Sequence, residues 1–325
     1  MCGIIGIVSK KQVVDRLISG LERLEYRGYD SSGVATISNS KIAFTKSIGK
    51  LISLKKRLKN EIIDGYVGIG HTRWATHGEP TEINAHPHVT KNVAVVHNGI
   101  IENFAEFKDD LLRKGISFHS QTDTEVIAKL VEEKISQEKC EPLEAVQLAV
   151  EKLKGSFALC FIFRGVENLM IATRRGSPLA LGFGDVEHFV SSDATSLSIF
   201  SKKICYLEEG DLAMLTPEDV KIFDSSGKSV CRDIQVLNAD PVTLSKGKYK
   251  HFMEKEIFEQ PEVISQVLGF YLNASKETLT LPPLPKSSEI KRIILIGCGT
   301  AFYSCLVARY WFESLSGVPT HAELA

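Results

Sequence analysis

Met1-Cys2-Gly3-Ile4-Ile5-Gly6-Ile7-Val8 opens the chain, and this stretch decides how the remainder is read. Glycine mixed with β-branched residues predicts a buried strand over residues 2–8. The cysteine at its head adds chemistry. With Met1 removed, Cys2 carries a thiol and a free α-amino group on one residue. An α-amino group titrates near pH ~7.7–8.0 and a free thiol near ~8.5, so the two are poised to exchange a proton at neutral pH. Activation of a nucleophile by its own chain terminus is an established device. The plainer reading makes Cys2 a small apolar residue at the start of a strand.

Working outward, helical spacing of Val13, Val14, Leu17, Ile18, Leu21 and Leu24 predicts a helix ending at Arg27-Gly28. Strands are expected at 33–37, 41–45, 66–71 and 93–97. Residues 103–114, 124–136 and 142–154 read as amphipathic helices, the second with Asp123 as its N-cap. Strands return at 157–163, 169–173 and 211–215. Strands, then helices, then strands imply an α+β domain of antiparallel sheets covered by helices. It closes near Asn238–Pro241. A charged helix over 246–260, stopped by Pro261, and a Pro-rich linker over 281–286 follow. The apolar strand Ile293-Ile294-Leu295-Ile296, the turn Gly297-Cys298-Gly299-Thr300 and a helix over 301–314 come next. Such a unit suits a phosphate at the helix start, or is simply a close helix–strand turn. Ala325 falls where another strand would begin.

The 325 residues carry a formal net charge of −1, which offers no basic field to nucleic acid or to an anionic membrane. Seven cysteines (2, 140, 160, 205, 231, 298, 305) form no C-x-x-C pair. A reducing cytoplasm fits that usage better than a disulfide framework. The apolar stretch 4–8 is too short for a secretory signal. The run 293–308 is broken by Gly297, Gly299, Thr300 and Ser304 and falls short of the ~18 residues that span a bilayer.

Four polar clusters interrupt the apolar strands. In His71-Thr72-Arg73-Trp74-Ala75-Thr76-His77-Gly78, Arg73 offers a planar fork for a carboxylate and Trp74 a rigid shield against water. Asn84-Ala85-His86-Pro87-His88 adds histidines to His71, His77 and His97. Their spacing matches no standard metal motif, so hydrogen bonding or packing is expected of them and no metal. His97-Asn98-Gly99-Ile100 places a side-chain amide beside a glycine N–H, the two donors an oxyanion requires. Asn-Gly is also the commonest hairpin turn. Thr122-Asp123-Thr124-Glu125 sets an acid for an ammonium group at a helix start, or a plain N-cap. Together these groups would suit an amino acid whose side-chain amide Cys2 attacks.

These motifs resemble the class II glutamine amidotransferases, whose glutaminase domains are N-terminal-nucleophile hydrolases. Leu24-Glu25-Tyr26-Arg27-Gly28-Tyr29-Asp30-Ser31 and Lys248-Tyr249-Lys250-His251-Phe252-Met253-Glu254-Lys255-Glu256-Ile257 narrow the likeness to the branch that aminates a sugar phosphate. The resemblance implies a four-layer α-β-β-α sandwich over 2–240, a linker over 241–286 and a truncated, doubly wound α/β sugar-isomerase segment over 287–325. It implies Cys2 as nucleophile and Asn98 with Gly99 as oxyanion hole. Arg73, Thr76, His77, His86 and Asp123 would bind glutamine, Trp74 would gate ammonia, and Thr300 would touch a sugar phosphate in an incomplete site. The implied partners are L-glutamine and, in the complete enzyme only, fructose 6-phosphate. No cofactor or metal, a homodimer at full length and a cytoplasmic location are also implied. The chain as given is expected to hydrolyse glutamine only. The rivals are another class II amidotransferase and a non-catalytic glutamine-binding module.

Overall fold

The structure is a computed structural model, and it describes residues 2–61, 63–237, 249–273, 278–279 and 289–325. The chain divides into two compact units, Met1–Lys248 and Tyr249–Ala325. The first opens with β1 (Gly3–Ser9), α1 (Val14–Leu24), β2 (Ser31–Ser38), β3 (Lys41–Ile48), α2 (Leu51–Leu58) and β4 (Val67–Arg73). Next come β5 (His88–Val89), β6 (Val93–Ile101), α3 (Phe104–Arg113), α4 (Asp123–Ser136), α5 (Pro142–Glu151), β7 (Gly155–Phe163) and β8 (Val166–Arg175). The remainder is β9 (Ala180–Phe183), β10 (Glu187–Ser191), α6 (Ala194–Leu197), β11 (Lys203–Tyr206), β12 (Leu212–Leu215), β13 (Val220–Phe223), β14 (Ser229–Val230) and β15 (Gln235–Val236).

The strands form two antiparallel sheets, ordered β15-β11-β9-β10-β1-β4-β2-β3 and β14-β13-β12-β8-β7-β6-β5. Three cores hold them. Ile4, Val8, Ala35 and Ile69 of the first sheet meet Val96, Ala158, Cys160 and Ala172 of the second in one buried cluster. Ile5 and Ile7 point the other way and pack with Leu17 and Leu21 of α1 and Leu54 of α2. Val95, Leu159 and Phe161 pack with Val126, Ile127 and Val131 of α4 and Ala145 of α5. β1 is therefore buried on both faces, which explains its unbroken apolar run. Each fully buried Ile or Val there contributes ~1.5–3 kcal/mol.

The α+β order of antiparallel sheets and helices follows the sequence pattern, with local corrections. Thr122 occupies the N-cap of α4, with no side-chain cap bond, and Asp123 is the first helical residue. Its carboxylate is drawn away from the cap because it accepts the N–H of Ile101 at 2.9 Å. In the second unit, α7 (Phe252–Tyr271) runs straight through Pro261. Proline's φ is already helical, so it removes one hydrogen bond and crowds one carbonyl without ending the helix, at ~3 kcal/mol.

β16 (Leu272–Asn273) and β17 (Thr278–Leu279) pair antiparallel. β18 (Ile293–Gly297), α8 (Thr300–Ser316) and β19 (Thr320–Leu324) then form a parallel β-α-β unit. The strand expected after Ala325 is thus already formed at β19. The expected boundary at 238–241 and the linker at 281–286 lie outside the described residues. No helix among the described residues is long and apolar enough to cross a membrane.

Candidate active site

The pairing of β1 with β4 sets Gly3 opposite Thr72, which brings the head of the chain beside the end of β4. Cys2 Sγ accepts the N–H of Trp74 at 3.2 Å and lies 3.5 Å from the Trp74 carbonyl, toward which its own proton points. The Cys2 carbonyl accepts from Arg27 Nε at 3.0 Å and from Asn98 Nδ2 at 3.1 Å. The residue is held on three sides. Burial pushes the Cys2 thiol above its ordinary value, against the pull of the Trp74 N–H and the positive charge of Arg73. The resting group is the thiol, which needs a base.

Arg73 ends β4 and is 3% exposed. Its guanidinium donates to the carbonyls of His77 (2.6 Å), Gly78 (3.1 Å) and Glu79 (3.3 Å). Burial lowers its pKa, and the nearby charges of Asp30, Cys2 and Asp123 oppose that. Asp30 accepts the N–H of Ala75 at 2.5 Å, fixing the chain as it leaves β4. Asn84 Nδ2 donates to the Glu79 carbonyl and to Gln121 Oε1 at 2.9 and 3.0 Å, and Asn84 Oδ1 accepts the Gln121 N–H. The loop after β4 is thereby tied to the segment before α4. The indole of Trp74 remains 53% exposed and lies over Gly28, where φ is +77° and an added Cβ would fall 2.8 Å from Trp74 Cζ3.

The opposite wall belongs to the second sheet. Asn98 and Gly99 lie inside β6, paired with Ala158 and Phe157, so Asn-Gly makes no hairpin here. Gly99 has φ +127°, and a Cβ would fall 2.0 Å from the Ser156 carbonyl oxygen. Only glycine holds that position. Asp123, 4% exposed, lies 3.9 Å from His97 Nδ1.

Behind the wall is a ladder of histidines. The rings of His71 and His86 lie 4.2 Å apart, and those of His86 and His88 lie 4.8 Å apart. His86 Nε2 and His97 Nδ1 both lie 2.9 Å from Thr124 Oγ1, and His88 Nε2 lies 2.9 Å from Thr122 Oγ1. Thr124 has one hydroxyl proton for two ring nitrogens, so at least one histidine donates to it. Burial lowers the pKa of all four, His71 to about 3. The ladder is neutral at physiological pH and binds by hydrogen bonds. Among the described residues, no group of three His, Cys, Asp or Glu could hold a metal ion.

One narrow cleft is lined by Cys2, Arg73, Trp74, Thr76, His77, His86, Gly99 and Asp123, together with His97, Thr122 and Thr124. Asn98 joins it through the Cys2 carbonyl. Thr300 does not belong to it; it begins α8 in the second unit. Sequence reasoning gave no role to Arg27, Asp30 or Thr124. Arg27 and Asp30 carried a signal, as two of the three charges in the Leu24–Ser31 motif. Thr124 carried none, since its partners lie 27 and 38 residues away.

Residues 71–198 match the family described as "Glutamine amidotransferase domain". The full chain is 48% identical over 330 residues to a glutamine–fructose-6-phosphate aminotransferase (isomerizing) of Brucella abortus, covering 54% of that protein. It is 49% identical over 326 residues to the enzyme of that name in Bartonella quintana, again covering 54%. The chain thus spans about half the length of the curated relatives it matches. Among solved structures, the glutamine phosphoribosylpyrophosphate amidotransferase of B. subtilis aligns with a TM-score of 0.63 at 19% identity, over 99% of this chain and 65% of that one. That likeness speaks for the fold alone. The chain matches the glutamine amidotransferase domain family over residues 71–198 and is similar, along its whole length, to the glutamine–fructose-6-phosphate aminotransferases.

Proposed function

We propose that the chain hydrolyses L-glutamine to glutamate and ammonia at Cys2. It would act as the glutaminase half of an enzyme that transfers the ammonia to fructose 6-phosphate, forming glucosamine 6-phosphate. The observation that carries this reading is the convergence of the Cys2 thiol, the Arg73 guanidinium, the Asp123 carboxylate and the Gly99 backbone on one cleft. These are the groups that a thiol attacking the side chain of a zwitterionic amino acid requires.

After removal of Met1, the free amine of Cys2 takes the thiol proton and Sγ attacks the glutamine δ-carbon. Gly99 N–H and the second N–H of Asn98 Nδ2 hold the developing oxyanion. The C–N bond then breaks, the protonated amine gives its proton to the leaving ammonia, and a γ-glutamyl thioester remains. Water activated by the same amine frees glutamate. Arg73 and Asp123 hold the α-carboxylate and α-ammonium, with Thr76 and His77 completing the pocket and His86 supporting its loop. Trp74, half exposed at the mouth, gates ammonia.

The three packed cores support a four-layer α-β-β-α reading of residues 2–240. The β18-α8-β19 unit supports reading 287–325 as the beginning of a sugar-isomerase domain, with Thr300 at its phosphate turn and 241–286 as linker. A homodimer of the complete enzyme in the cytoplasm completes the proposal. Cys2→Ala tests it: ammonia release from glutamine should vanish while circular dichroism is unchanged. Undiminished release would overturn the mechanism.

A further inference from the structure

We infer that His71 is a positioning residue for the oxyanion hole, holding the Asn98 amide so that its nitrogen faces Cys2 and the substrate. The inference rests on the oxyanion role proposed for Asn98. It follows from hydrogen-bond bookkeeping among obligate acceptors. The Cys2 carbonyl can only accept, so the Asn98 atom 3.1 Å from it is the amide nitrogen. Asn98 Oδ1 must then face the other way, and it meets His71 Nε2 at 3.0 Å. The same nitrogen lies 3.0 Å from the His97 carbonyl, a second obligate acceptor. A nitrogen between two acceptors carries the proton, which fixes the tautomer of His71.

The ring is built to stay in place. His71 is fully buried, sits in β4 between partners Ile4 and Gly33, and lies against the tilted ring of His86. It does not line the cleft, so any effect on the reaction passes through Asn98. Without the His71 N–H, Oδ1 of the 7%-exposed Asn98 is a buried acceptor with no donor. The amide then loses the contact that fixes its orientation, and its side chain is free to rotate so that the nitrogen leaves the Cys2 carbonyl and the developing oxyanion. One donor of the hole is lost, and in other enzymes a lost oxyanion donor lowers kcat by ~10²–10³.

The test is a double-mutant cycle on the full chain, reading kcat and KM for glutamine per folded molecule. His71→Gln can set an amide N–H near the Nε2 position, whereas His71→Asn reaches only the Nδ1 position. His71→Asn should lower kcat by ~10–100-fold with KM within ~3-fold, and His71→Gln should recover most of that loss. In an Asn98→Ala background, His71→Asn should cost less than a further ~3-fold, because the group it positions is gone. Full additivity, or equal losses in the Gln and Asn variants, overturns the inference. An Asn98→Ala variant with unchanged kcat overturns instead the oxyanion reading on which it rests.

Discussion

Replacing Arg73 with lysine separates two tasks that its guanidinium performs. In the structure the fork serves the loop, with three bonds to the carbonyls of residues 77–79. In the proposed complex it also receives the glutamine carboxylate. Lysine keeps the charge but concentrates its donors on one nitrogen, which cannot reproduce a planar fork. If one carbonyl keeps its donor and two lose theirs, at ~1–3 kcal/mol each, stability falls by ~2–6 kcal/mol. For the substrate, a bidentate pair becomes a single contact. The lost charge-assisted bond is worth ~1.5–3 kcal/mol, a ~10–150-fold fall in kcat/KM. Because that bond is made equally in ground and transition states, the loss should appear mostly in KM. The assay is steady-state ammonia release from glutamine and from 4-aminobutanamide, which is glutamine without its α-carboxylate. Loop damage reduces both rates alike, so the ratio of the two kcat/KM values isolates the carboxylate contact. That ratio should drop ~10–150-fold in Arg73→Lys. An unchanged ratio would refute the assignment and leave Arg73 as a loop clasp.

Asp30→Ala removes the acceptor of the Ala75 N–H and a counter-charge to Arg73; kcat/KM should fall ~10-fold with a lower melting temperature, and full activity would refute its part in shaping the loop. Trp74→Ala should leave stability within ~1 kcal/mol, since the indole is half exposed, and glutaminase activity within ~10-fold. In a chain extended to the length of the relatives, the same change should release ammonia without aminating fructose 6-phosphate, and coupled transfer would contradict the gate. Stability should also depend on pH through the ladder. His71, His86, His88 and His97 have folded pKa values depressed below their unfolded value of about 6.5. Below pH 6.5 the unfolded chain binds protons that the folded one refuses. Stability is therefore complete above about pH 7 and lost as pH falls toward about 3, the folded value of His71. Denaturant titrations from pH 7.5 to 5 should show His88→Gln flattening the slope by about one proton, and an identical slope would contradict the neutral ladder.

The fold was legible where one physical signal dominated. The unbroken apolar run of β1 announced burial on both faces, and the 3.6-residue spacing of α1 survived in the structure. The site was legible as residue types: an arginine and a tryptophan directly after a strand, an Asn-Gly pair and a terminal cysteine. Their arrangement was not. Asn98-Gly99 has the local signature of a hairpin, and only its pairing with β7 and the Ser156 carbonyl against Gly99 keep it within a strand. Asp123 looks like a cap until the Ile101 N–H claims its carboxylate. Thr124 and His71 matter through partners 26 to 38 residues away, a separation that no local pattern encodes.

The central claim is that Cys2, freed of Met1, is the nucleophile. Its most direct test is mass analysis of the N-terminal peptide after incubation with the glutamine-like electrophile 6-diazo-5-oxo-norleucine. One label per chain should lie on a peptide that begins at Cys2 with a free α-amine, and glutaminase activity should fall in proportion to labelling. A fully active protein that retains Met1, or a label on any residue other than Cys2, would contradict it.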